Sequence, residues 1–164
     1  MIEASTDELL NDLADVIEHA ERFGATVLPP HDAETVAWER DGDELFMDLA
    51  VHPPVGSWSR LVEIALRERW RAAGRDRWEL AEYAYELRDH ELDYRRALHR
   101  HDVDHFVRAC GVATHEHCEA TMGHPTCDHY AAHPCGGALD GFDRLYGVWL
   151  IGTKPDCSQL RCLG

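Results

Sequence analysis

A chain of 164 residues with 45% hydrophobic and 29% charged side chains is neither disordered nor fibrous, and it is long enough for one domain with a hydrophobic core. The 31 acidic residues outnumber the 16 basic ones, for a net charge of −15. No run of 18 apolar residues is present and residues 1–8 are acidic, so we expect a cytoplasmic protein with no membrane segment and no secretory signal.

The first predicted element is an amphipathic helix over residues 6–23. Ser5 and Glu8 have the spacing of a capping box, and apolar residues recur after them at intervals of three and four. Gly24 stands where a helix C-terminal cap is expected. A short strand is predicted next, at residues 25–28.

A β-hairpin is predicted to follow, with strands at residues 35–40 and 43–51. The strands flank Asp41-Gly42, a dipeptide that favours a type I′ turn. Alternate residues of the second strand are apolar, which indicates one buried and one exposed face.

The middle of the chain has the pattern of amphipathic helices. Ser57 can cap the first, and its apolar residues fall on one face before Gly74 ends it. A second helix is predicted over residues 77–100 from a seven-residue apolar seam. Asp102 can cap a further short helix that runs to Cys110.

The C-terminal third is rich in His, Cys, Gly and Pro. A strand is expected at residues 112–114, and Asp140 can cap a last helix. We predict an α+β fold made of an N-terminal helix plus β-hairpin, central amphipathic helices and a zinc-stapled C-terminal module. The acidic α+β core spans residues 1–110, and the Cys/His-rich module, residues 111–164, packs on the same core.

Five of the six cysteines lie between residues 118 and 162, together with five histidines. Zinc prefers four ligands drawn from thiolates and imidazoles, and such a site can fold an irregular segment. Disulfides and unligated thiols are the alternatives. The predicted zinc ligands are Cys118, Cys127, Cys157 and Cys162, with His117 or His129 as the first substitutes.

A second candidate site lies in the middle of the chain. His101 and His105 have the H-x3-H spacing of zinc metallohydrolases, with Asp102 where that motif has a glutamate. In that chemistry two imidazoles hold zinc and the acid takes a proton from the bound water. The third ligand would come from His115, His117, Glu116 or Glu119.

Arg96 and His101 also have an R-x4-H spacing. This spacing resembles the motif of the HEPN ribonucleases, helical proteins that cleave RNA without a metal. The resemblance implies that the arginine binds phosphate and that the histidine performs acid/base work.

These patterns favour a zinc-stabilised binding or assembly protein of a halophilic archaeon, since screened carboxylates keep such a protein in solution at molar salt. Arginine-rich composition alone would also fit a high-GC genome, but the excess of acid would not. A protein partner or self-association is favoured over nucleic acid, because phosphate contacts weaken in high salt. The alternative function is a metal-dependent hydrolase or ribonuclease that uses the central histidines.

Overall fold

The computed structural model describes residues 2–28, 37–54, 62–102, 108, 111–124 and 130–150. In these ranges the chain forms nine strands and two helices. The strands are β1 (Glu3–Ser5), β2 (Thr26–Leu28), β3 (Ala37–Asp41), β4 (Glu44–His52), β5 (Val62–Gly74), β6 (Arg77–Asp89), β7 (Tyr94–Arg100), β8 (Thr114–Glu119) and β9 (Tyr130–Ala131), and the helices are α1 (Thr6–Arg22) and α2 (Ala138–Leu150).

All of these strands belong to one sheet, and each neighbouring pair is antiparallel. The order across the sheet is β2-β4-β5-β6-β7-β8-β9, with β1 paired to β6 and β3 paired to β4. The two longest strands, β5 and β6, have 13 residues each and lie near the middle of the sheet.

The central helices expected from the sequence are strands, so the predicted α+β fold is wrong. The described part of the protein is mainly an antiparallel sheet with a helix near each end of the chain. Val62, Leu66 and Trp70 are spaced by four residues, which fits one face of a helix and equally one face of a strand, because four is a multiple of two. The chain also buries Ile64 and Glu68, so every second residue from Val62 to Trp70 is buried, which is the period of a strand.

The predictions for the N-terminal helix are confirmed. Ser5 and Glu8 form the capping box in both directions, each side chain accepting from the other residue's backbone N–H. Gly24 follows the helix with a φ of 75°, a conformation that glycine adopts without steric cost. The short strand and the hairpin are also present, as β2 and as β3–β4.

The hairpin turn lies one residue later than predicted and is of a different type. Asp41 pairs with Glu44, so the two turn residues are Gly42 and Asp43. Gly42 has a φ of 59° while Asp43 has no positive φ, and a type I′ turn requires a positive φ at both positions.

The C-terminal elements also begin at different residues than expected. β8 starts at Thr114 and runs through residues expected to form a loop, and α2 begins at Ala138 rather than after Asp140. Asp140 lies in the first turn of α2, where its carboxylate accepts a hydrogen bond of 2.9 Å from the Gly136 N–H. The short helix predicted from Asp102 falls outside the described residues, apart from Arg108.

Both helices pack on one face of the sheet and enclose the hydrophobic core with it. Alternate residues of each central strand point to this face, which the strand period of two explains. The core residues include Leu9 and Val16 of α1, Phe142 and Leu145 of α2, and Leu49, Val51, Ile64, Leu66, Leu80, Tyr85 and Leu87 of the sheet.

One acid is buried within this core. Glu68 on β5 is 4% exposed, and it accepts hydrogen bonds from the Trp70 indole at 2.8 Å and from the Tyr85 hydroxyl. Burial raises the pKa of Glu68 to about 7, against the lowering effect of those two hydrogen bonds, and the nearby Asp12 carboxylate of α1 raises it further. Glu68 is therefore an acid that the fold prefers to keep protonated.

We expect Glu68 to make the protein less stable as the pH rises from 4.5 to 7. In that interval the folded protein holds a proton that the unfolded chain has released, so the free energy of unfolding falls with pH and becomes level above about 7. Glu68→Gln removes this contribution, so between pH 5 and pH 8 the variant should gain about 2 to 3 kcal/mol relative to the wild type. Urea unfolding at the two pH values measures the difference.

The exposed Glu21→Gln on α1 serves as the control and should follow the wild type at both pH values. Equal pH dependence of Glu68→Gln and the wild type would contradict the protonated buried acid.

Candidate metal centre

The face of the sheet opposite the helices carries polar side chains in rows that run across the strands. Directly opposed residues of antiparallel strands share a face, and the register aligns Asp48, Arg67, Ala84, His99 and His115 in one row from β4 to β8. The Arg67 Nε donates to Asp48 at 3.1 Å. The next row contains Arg69, which is paired with Glu44, Glu82 and Asp102.

Three histidines converge at the β7–β8 end of this face. His99 lies on β7 opposite His115 on β8, and His101 continues the ladder beyond β7, with its N–H bonded to the Ala113 carbonyl at 2.9 Å. One ring nitrogen from each of the three lies within 4.8 Å of those of the other two. His115 is 1% exposed and the other two are half-buried, so the three side chains form a group that could hold a metal ion.

A fourth histidine adjoins this group. His117 lies two residues after His115 on β8 and therefore on the same face. Its Nε2 is 3.1 Å from the Nε2 of His115, and its ring centre is 4.9 Å from that of His99. Two imidazoles that share a hydrogen bond at this distance each keep one nitrogen for another partner.

Glu86 on β6 fixes the orientation of one histidine. Its Oε1 is 3.3 Å from the Nε2 of His99 and 2.8 Å from Arg95, and it also pairs with Arg88. Burial works to raise the pKa of Glu86, but the hydrogen bonds from His99 and Arg95 and the charges of Arg95 and Arg88 hold that pKa well below its usual range. An ionised carboxylate only accepts, so the Nε2 of His99 carries the proton and its Nδ1 is left for a metal.

Glu86→Gln is expected to weaken metal binding by roughly 10- to 100-fold, the usual effect of losing an outer carboxylate that orients a ligand histidine. Zinc titration against a chromophoric competitor measures the affinity. Glu63→Gln is the matched control, because Glu63 on β5 pairs with Arg88 at 4.0 Å and contacts no histidine of the described cluster. Equal affinities for the two variants would show that Glu86 does not support a ligand.

A cavity of about 340 Å³ borders the cluster at His101. It lies across strands β4 to β7, and its wall includes Phe46, Arg67, Arg69 and Ala84. The methyl group of Ala84 sits between Arg67 and His99 in the row, where a longer side chain would fill the space. The volume is in the range of sites that bind small molecules.

The structure places three of the histidines singled out in the sequence, His101, His115 and His117, in the histidine group. Asp102 is paired with Arg69 and Arg71, each at 2.7 Å. Arg96 pairs with Glu116, and since it is five residues from His101 on an extended chain, the two lie on opposite faces of the sheet.

The cysteine-based candidates are described only in part. Cys118 is buried on β8 and is disulfide-bonded, so in this form it offers no thiolate. Cys135, which was not among the predicted ligands, is a buried free thiol whose pKa is raised to about 11 by burial. The remaining candidates lie outside the described residues: His105, Cys127, His129, Cys157 and Cys162.

His99 was not predicted as a ligand from the sequence. The signal for it was the pair of H-x-H motifs, His99 with His101 and His115 with His117, because a spacing of two places both side chains on one face of a strand. A helix would place the side chains of His99 and His101 on different faces, so the incorrect helix prediction did not bring the two together.

In the described part of the chain no helix is long and apolar enough to cross a membrane. A scan against protein-family models found no match for the chain, and searches of curated proteins and of solved structures found no significant similarity.

Proposed function

We propose that this protein is a zinc-dependent enzyme of the hydrolytic class, with the metal held by His99, His101 and His115. The observation that carries the proposal is the convergence of three imidazoles at the edge of a cavity of about 340 Å³. A metal at this point would be accessible to a small molecule in the cavity.

The ligand set favours zinc over the other common metals. Imidazole suits zinc, copper, iron and nickel, whereas magnesium and calcium prefer oxygen ligands. In a tetrahedral site with zinc–nitrogen bonds of about 2.0–2.1 Å, the ligand nitrogens lie closer together than the 4.8 Å within which the three histidine nitrogens lie in this structure. Small rotations of His99 and His101, which are only half-buried, would bring their nitrogens into that geometry.

Three protein ligands leave the fourth zinc position open, which is the arrangement of catalytic rather than structural zinc sites. Zinc in such a site lowers the pKa of a bound water towards 7 and supplies a nucleophile for hydrolysis. The residues of this chain hold the metal, and Glu86 keeps His99 in the tautomer that presents its Nδ1.

The second candidate is a zinc-stabilised binding or assembly protein, and the position of His117 favours it. With its Nε2 3.1 Å from that of His115, His117 could complete a closed four-histidine site that joins β7 to β8. Such a site would stabilise the fold without catalysis, and the surface it orders would serve a protein partner or self-association.

Metal removal tests the proposal and separates the two candidates. We expect about one zinc per chain by elemental analysis, hydrolysis of a chromogenic ester such as 4-nitrophenyl acetate, and loss of that hydrolysis on chelation with little change in melting temperature. A protein that binds zinc, shows no hydrolysis and melts far earlier after chelation would support the structural candidate. Failure of the folded protein to bind zinc would overturn both.

A further inference from the structure

Part of the lining of the cavity beside the histidine cluster is apolar, which indicates the class of ligand that the cavity can bind. Phe46 and Ala84 contribute apolar surface, and the carbon stems of Arg67 and Arg69 add to it. Sites that bind small molecules are usually lined by apolar side chains with a few polar groups. The ligand should therefore carry a compact apolar body.

The charges around the cavity indicate the sign of the ligand. On this face Asp48 pairs with Arg67 at 3.1 Å, and Glu82 shares Arg69 with Glu44 and Asp102. Arg67 bonds through Nε alone, and its terminal nitrogens make no hydrogen bond to a described residue. A divalent metal on three neutral imidazoles would add two positive charges, so the end of the cavity at the histidines favours an anion.

The buried Glu68 of β5 does not add negative charge to the cavity. Glu68 is among the residues around the cavity, but its carboxylate hydrogen-bonds to Trp70 and Tyr85 within the helix-covered core. It therefore lies on the other side of the sheet from the histidines.

We infer that the cavity binds the apolar body of a small organic monocarboxylate, whose carboxylate group lies on the metal. This inference rests on the proposed metal centre. The spacing supports it: Arg67 and His99 stand two strands apart across Ala84, about 10 Å at the usual strand separation, and an aromatic ring with its carboxylate fits within that span.

Binding of benzoate to the metal-loaded protein tests the inference. Cobalt(II) replaces zinc for this purpose, because its visible absorption changes when a ligand enters the coordination sphere. Benzoate should alter that spectrum, while acetate, which lacks the apolar body, and benzamide, which lacks the charge, should each bind at least about tenfold more weakly.

Two variants separate the cavity from the metal. Ala84→Leu fills the cavity and Phe46→Ala removes an apolar wall, and each should weaken benzoate binding by roughly tenfold or more with an unchanged cobalt content. Ala14→Leu, at an exposed position of α1, is the control and should bind benzoate as the wild type does.

The outcomes distinguish this inference from the metal centre itself. Cobalt binding without a benzoate response, equal binding of benzoate and benzamide, or unimpaired binding by both cavity variants would overturn the carboxylate site and leave the metal centre in place. Failure to bind cobalt would overturn the metal centre and the inference together.

Discussion

His101→Ala is expected to lose metal binding almost completely while the protein stays folded. In the proposed metal centre His101 supplies one of three ligand atoms, so its removal should lower the affinity by more than the roughly 10- to 100-fold that follows loss of an outer partner. The side chain is half-buried at the end of a strand, and its backbone N–H bond to Ala113 remains in the variant. Zinc content after gel filtration and circular dichroism measure the two properties.

His90→Ala is the matched control for this experiment. His90 is an exposed residue in the turn between β6 and β7, so it lies on the same hairpin as His99 but outside the histidine group. The control should keep the full zinc content. A His101→Ala protein that binds zinc as the wild type does would place the metal elsewhere in the chain.

Gly141→Ala is expected to produce the largest loss of stability among the changes considered. A Cβ at this position of α2 would lie 2.2 Å from the Cδ2 and 2.5 Å from the Cε2 of Tyr85. The Tyr85 ring cannot move aside, because it is fully buried, stacked on Tyr83 with ring centres 4.6 Å apart, and hydrogen-bonded to Glu68. We expect a loss of about 2 to 3 kcal/mol in the free energy of unfolding, the upper part of the range for an overpacked core.

Gly147→Ala provides the comparison within the same helix. A Cβ at Gly147 would meet no atom of the residues that the structure describes within 4 Å, so alanine should stabilise the protein by about 0.5 to 1 kcal/mol through its higher helix propensity. Urea unfolding of both variants measures the contrast. Equal stability of the two alanine variants would be inconsistent with α2 packed closely on Tyr85.

The N-terminal part of the fold could be predicted because its signals are local. The capping box of Ser5 and Glu8 and the positive φ of Gly24 each involve residues within a few positions of one another. Such interactions are visible in the sequence before any tertiary contact is known.

The central sheet could not be predicted from the same kind of signal. Residues such as Glu, Arg, Ala and Leu dominate β5 and β6, and they favour helices when considered alone. The pairing of Val62 with Asp89 and of Leu66 with Tyr85 overrides that preference, because each strand gains its hydrogen bonds and its buried face from a distant segment.

The candidate site was found only in part for the same reason. His101 was identified from a helical H-x3-H spacing, and His115 was one of several possible third ligands. His99 can be identified as a ligand only from the pairing of β7 with β8, because that pairing places His99 opposite His115. A site built across two strands depends on a register that spacing along the chain does not reveal.

X-ray absorption at the zinc edge of the wild-type protein identifies the atoms that bind the metal, because it distinguishes nitrogen from sulfur ligands by their distances. We predict a first shell of three imidazole nitrogens and one further light atom at about 2.0–2.1 Å, with no sulfur. A shell dominated by sulfur at about 2.3 Å would contradict the histidine centre and assign the metal to the cysteines.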